Sequence, residues 1–139
     1  MDAIREAIAA LQQETAAYPP GVHIWMNVMM VTFFSSIVFV TKKPGARWIL
    51  AAVLVNIAGL ILIKAAMPGL AREQIGTGIH LVFWTFALAM IWRPALRRRR
   101  RAEPATAYHR IYGAWLVVAS LVMAASLALD ARAALGWLF

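Results

Sequence analysis

Residues 48–66 read WILAAVLVNIAGLILIKAA, a run of 19 residues with no acidic side chain and one cation, Lys64, near its C-terminal end. A helix that crosses a bilayer needs about 17–25 mostly apolar residues. The run shows no period-2 alternation, which argues against a barrel strand. Lipid cannot hydrogen-bond a bare backbone, so an apolar stretch of this length must satisfy its own peptide groups, as a helix does. Three further stretches of the same kind lie at 20–41, 75–92 and 111–129, and the four together occupy more than half of the 139 residues. Turn signals separate them: Pro44-Gly45, Pro68-Gly69, Pro94 and Pro104. Each Pro interrupts the helical ladder where a polar flank begins.

The composition agrees with this reading. The chain is 63% hydrophobic and 14% charged, whereas soluble domains average about 45–50% apolar and about 25% charged. A disordered segment is excluded, and a water-soluble globule is disfavoured. There is no cysteine, which removes disulfides, thiolate metal centres and cysteine nucleophiles. The predicted fold is all-α: a four-helix transmembrane bundle (residues 19–139) preceded by a short amphipathic interfacial helix (residues 1–18).

Charge sets the expected orientation. Lys42, Lys43 and Arg47 lie in the first connection, and Arg93, Arg97, Arg98, Arg99, Arg100, Arg101 and Arg110 in the third; together these are ten of the 14 basic residues. Five of the six acidic residues (Asp2, Glu6, Glu14, Glu73, Asp130) fall on the opposite side. The positive-inside rule therefore places both connections in the cytoplasm and both termini on the periplasmic side of a bacterial-type inner membrane. Trp48, Trp92, Tyr108, Tyr112 and Trp115 would form the inner aromatic belt. The arginine run reads as a topology signal with affinity for anionic lipid. Nucleic-acid binding would need a platform with interleaved aromatics, which so short a loop lacks.

The first 18 residues lack the basic start and continuous apolar centre of a signal peptide. Ile4, Ile8, Leu11, Thr15 and Tyr18 recur at helical spacing, opposite Arg5, Gln12 and Gln13. This pattern predicts an amphipathic helix on the outer membrane surface or on a partner.

Polar groups within spans are the candidates for chemistry, because each needs a partner there. They are His23, Asn27, Asn56, Lys64 and His80. At a rise of about 1.5 Å per residue, His23 lies ~5 Å and Asn27 ~10 Å below the outer boundary, His80 about 5–8 Å below it, and Asn56 near the midplane. His23, Asn27, Met30 and Phe34 share one helical stripe; Thr77, His80, Trp84, Ala87 and Ile91 share another; Asn56 shares its face with Ala52, Gly59 and Ile63. If all three face inward they form one polar layer. Two histidines at one depth could ligate a haem b iron axially, or a quinone could bind between His23 and His80 with Asn27, Asn56 and Trp84 around it. Interhelical hydrogen bonding alone is the simpler role for the same residues. Met26, Met29 and Met30 beside His23 offer a weaker Cu(I) set, with Met29 pointing away. Lys64 is expected to snorkel to the interface. Asp130 and Glu73 are read as boundary residues, which disfavours a carboxylate-driven pump.

Gly113, Ser120, Ala124, Ser126 and Ala128 give the fourth span small residues for close helix contact, internal or with another chain. The first functional reading is a non-catalytic accessory or interaction subunit of a larger membrane complex, in contact with lipid and with other subunits or its own copies. It asks for no chemistry the residues fail to supply. The alternative is the small redox protein holding haem b or quinone. The third is an oligomeric channel or carrier lined by Asn27 and Asn56.

Overall fold

The computed structural model describes residues 2–97 and 106–138, and all regular structure in them is helical. Helix α1 (Asp2–Ala16) leads through Pro19 to α2 (Pro20–Phe34), which ends in a 3-10 turn (Ser35–Val38). Helix α3 (Pro44–Ala66) follows. Helix α4 (Arg72–Ile79), a π-helical turn (His80–Trp84) and α5 (Thr85–Arg97) form one continuous rod. Helix α6 (Ala107–Leu138) completes the chain. Four of these rods are long and apolar enough to cross a membrane: Pro20–Val38, Pro44–Ala66, Arg72–Arg93 and Ala107–Trp137. Arg98, Arg99, Arg100, Arg101 and Pro104 lie outside the described residues, as does the side chain of Arg97.

The expected boundaries shift for local reasons. The α2 helix ends before residue 41. There Ser35 Oγ donates to Thr32 O at 2.7 Å, a side-chain bond that competes with the regular ladder. Pro44-Gly45 is a helix start and not only a turn, since Pro44 occupies the first helical turn, where no amide hydrogen is needed. Arg47 reaches back to Val40 O (2.8 Å) and Thr41 O (3.0 Å) and satisfies the carbonyls of the preceding turn. Pro94 does not stop the third rod, whose helix α5 runs to Arg97. Helix α6 starts four residues early, where Thr106 Oγ1 accepts the His109 amide at 3.4 Å as an N-cap. It also runs well past residue 129. At 32 residues it is about 48 Å long, more than the roughly 30 Å hydrocarbon core.

The core draws on every spanning rod: Phe33, Ile49, Ala52, Val53, Trp84, Ala87, Ile91, Ala119 and Met123. Lipid is as apolar as leucine, so hydrophobicity alone does not hold these helices together; close packing and hydrogen bonds do. Ala52, Ala87 and Ala119 are nearly inaccessible, letting backbones approach. Gly59 serves the same end between α3 and α4, where an added Cβ would come within 2.8 Å of Ile79 Cδ1. Three tryptophan–serine bonds link rods: Trp25 Nε1 to Ser126 Oγ (3.2 Å), Trp115 Nε1 to Ser35 Oγ (2.8 Å) and Trp92 Nε1 to Ser120 Oγ (3.1 Å). Ser120 and Ser126 of the small-residue set thus face inward, whereas Ala124 and Ala128 are exposed. At the basic end, Phe39, Tyr108, Tyr112 and Trp115 pack together, and Lys42 and Lys43 lie 5.1–5.8 Å from tyrosine ring centroids.

Helix α1 packs against α3 of its own chain. Its buried residues are Ala7 and Leu11, while Ile4 and Ile8 remain exposed at 45% and 37%. The apolar stripe is therefore only partly used in this contact. A polar latch secures the rest. Lys64 Nζ donates to Glu14 Oε1 (2.5 Å) and to Leu70 O (2.6 Å), and the Arg72 amide donates to Glu14 Oε2 (2.6 Å). Lys64 does not snorkel: it is only 5% exposed, because α1 covers it and supplies its counter-charge. Glu14 also sits at the N-terminus of α4, where a carboxylate complements the helix dipole. Hydrogen bonds from Lys64 and then the Arg72 amide hold the Glu14 carboxyl below its ordinary value of 4.5.

Candidate functional site at the His80–Asp130 pair

The third span presents the face the periodicity indicates. Thr77, Trp84, Ala87 and Ile91 are buried and His80 nearly so. The π-helical turn at His80–Trp84 lies in the middle of this face, and such turns commonly mark functional positions. Trp84 is 2% exposed and packs edge-on against Phe33 at 5.2 Å. The His80 ring lies over the Trp84 indole at 3.9 Å between centroids, tilted by 31°.

The partner of His80 is Asp130. His80 Nδ1 and Asp130 Oδ2 are 2.8 Å apart, and Thr77 Oγ1 donates to Asp130 Oδ1 at 3.1 Å. Their side chains are 15% and 18% exposed. Asp130 does not end its helix: α6 continues for two further turns as ARAALGWL, mostly good helix formers. That continuation was the available signal in the sequence. The pairing itself depends on two helices separated by 50 residues.

The pair lines a groove of about 410 Å³ between α2, α4 and α6. Trp25, Met26 and Met29 form its apolar wall, Tyr18 and Pro19 its outer rim, and Arg72 and Glu73 its charged edge. Ser126 Oγ donates to Met29 Sδ at 2.9 Å and accepts from Trp25, which fixes that wall. In the tautomer with its proton on Nδ1, the imidazole donates to the Asp130 carboxylate. A neutral His80 then keeps Nε2 as a hydrogen-bond acceptor, the arrangement that makes a carboxylate-oriented histidine a proton acceptor.

The other sequence candidates do not join this site. His23 lines a second groove, of about 480 Å³, under α1 with Leu11, Leu60 and Ile61. The two histidines thus open into different cavities. The inward face of α2 carries Trp25, Met29 and Phe33, not the His23, Asn27 and Met30 stripe; Asn27 is exposed and Met30 is 45% exposed. A helix apolar on all sides gives periodicity no means of marking its inner face. Asn56 is half-buried on α3, its Oδ1 without a partner among the described residues. No cluster of three or more His, Asp or Glu suited to a metal ion occurs among the described residues.

These four rods and their composition define the class: the chain is a small polytopic membrane protein. Comparison with protein-family models, with curated proteins and with solved structures gave no match.

Proposed function

We propose that the protein binds a lipid-soluble, hydroxyl-bearing ring compound of the quinol class in the groove at His80 and Asp130. The observation that carries this reading is the 2.8 Å His80–Asp130 pair in the wall of an otherwise mainly apolar groove. Ligand sites of this kind combine apolar walls with a few convergent polar groups. Trp84 fixes the imidazole from below, Asp130 fixes its tautomer, and Nε2 accepts the ligand's hydroxyl hydrogen bond. Trp25, Met26 and Met29 offer polarisable surface to a ring. Of the two redox alternatives, the quinone-class site keeps His80 and exchanges His23 for Asp130. A haem iron shared by His23 and His80 gains no support from their separate cavities.

The test uses the purified protein in nanodiscs, titrated with decylubiquinol and, separately, with decylubiquinone while tryptophan fluorescence is followed. The quinol is expected to bind at least tenfold more tightly than the quinone, and His80→Phe to remove that preference while preserving the stack on Trp84. Asp130→Asn frees the tautomer and is expected to narrow the preference. Equal binding of the quinol by the protein and by His80→Phe would overturn the reading.

One observation favours the accessory-subunit reading beside it. Asn27 lies on the exposed face of α2 with Ile24 (65% exposed), Val28 (42%) and Val31 (73%). Lipid offers a carboxamide no hydrogen bonds, so a helix of another membrane subunit is the partner this face fits. The chain has no cysteine of its own, so Asn27→Cys gives a single cross-linking site. Disulfide or photo-cross-linking from it in native membranes is expected to yield a discrete adduct with a second polypeptide; lipid adducts alone would refute this.

A further inference from the structure

The second groove has a chemistry of its own. Its walls are Ile8 and Leu11 of α1 and Ile57, Leu60 and Ile61 of α3, with Gln12, Thr15, His23 and Arg72 among its polar lining. Ile8 and Ile57 are 37% and 39% exposed, so the groove opens sideways between the two helices. Ile57 lies seven residues before Lys64 on α3, about 10 Å further along the axis. The groove therefore runs from the polar latch into the apolar part of the span. Its charge is one-signed. Glu14, the nearby acid, is committed to Lys64 and to the Arg72 amide. The Arg72 guanidinium sits 5.3 Å from the Tyr18 ring centroid and forms no ion pair among the described residues. A planar cation of this kind suits bidentate contact with phosphate.

We propose that this groove is a binding site for one anionic phospholipid, its acyl chain laid between α1 and α3 and its phosphate against Arg72, with His23 beside it. The argument rests on the union of an aliphatic channel with a cation at its polar end that forms no ion pair among the described residues. A neutral chain would use the channel without the cation, and a free anion the cation without the channel. The site is distinct from the groove at His80, although Arg72 borders both.

The experiment is native mass spectrometry of the full chain, delipidated in mild detergent and titrated with phosphatidylglycerol, with phosphatidylcholine of the same chains, and with glycerol phosphate. Phosphatidylglycerol is expected to bind one per chain, at least tenfold more tightly than phosphatidylcholine. Arg72→Gln is expected to bring the two lipids to parity. Ile57→Trp, which fills the lateral opening from a partly exposed position, is expected to weaken both. Circular dichroism and gel filtration establish that each variant is folded. Equal affinity for the two lipids, an undiminished phosphatidylglycerol preference in Arg72→Gln, or displacement of the lipid by millimolar glycerol phosphate would each overturn the proposal.

Discussion

Removing Glu14 tests how the N-terminal helix is held. In the folded chain Lys64 is 5% exposed and has two acceptors, Glu14 Oε1 at 2.5 Å and Leu70 O at 2.6 Å. Glu14→Ala leaves that ammonium with the carbonyl alone and strips the Arg72 amide of its partner. Breaking a buried ion pair from one side typically costs about 3–5 kcal/mol, mostly the penalty of the orphaned charge. The Glu14 side chain is 34% exposed, so solvent screens part of the interaction. The expected loss is therefore at or below the low end of that range, about 2–3 kcal/mol. Replacing both partners, as in Glu14→Ala with Lys64→Met, removes the orphan. That double variant is expected to recover most of the loss, because a well-packed apolar pair costs little next to an uncompensated charge. The assay is reversible unfolding in mixed detergent and dodecyl sulfate micelles followed by tryptophan fluorescence, with limited proteolysis of residues 1–18 reporting release of α1. The reasoning fails if Glu14→Ala falls within about 0.5 kcal/mol of the parent, the range of ordinary surface substitutions. It fails equally if the double variant is less stable than Glu14→Ala.

The same latch has a pH signature. The Glu14 carboxyl is held below 4.5, so its contribution is complete above that pH and is lost as pH falls through the lowered value. Proteolysis of α1 is expected to be flat from neutral pH down to about 4.5 and to rise below it, and a rise already at pH 6 would contradict this. Gly59→Val places side-chain atoms where Ile79 Cδ1 lies, and should destabilise the α3–α4 contact by about 1–3 kcal/mol in the same unfolding assay. Ser126→Ala removes the acceptor of Trp25 and the donor to Met29; single membrane hydrogen bonds average about 0.6 kcal/mol, so a loss near 1 kcal/mol is expected, and none would discount that link. For orientation, a reporter fused after Phe139 should be active only on the periplasmic side, and cytoplasmic activity would reverse the topology.

Legibility differed between the helices for physical reasons. The third span was readable because its stripe Thr77, His80, Trp84, Ala87 and Ile91 carries His80, the one ionisable residue between Glu73 and Arg93, and a polar group inside a membrane seeks protein. For α2 the same logic misled: His23 and Asn27 were its most polar residues, yet Trp25, Met29 and Phe33 face the core. The helix turns its surface of best shape and its indole donor inward, and Asn27 is left outside. The end of α6 was misread because hydropathy falls at Asp130 while helix propensity does not. That placed the partner of His80 at a helix end instead of within the helix.

The sequence alone determined the class. Four apolar runs of bilayer length between charged or Pro-containing connections admit one kind of architecture, because a backbone in lipid must satisfy its own hydrogen bonds. Composition and length carry that rule without reference to any long-range contact. Tertiary structure alone decided which polar groups meet. His80 found Asp130 and Lys64 found Glu14, each across 50 residues of chain. In a segment apolar on every side, hydrophobicity sets no rotation about the helix axis. Rotation is chosen by the close fit of Ala52, Ala87 and Ala119 and by the Trp–Ser bonds between rods, and those exist only once the helices are assembled.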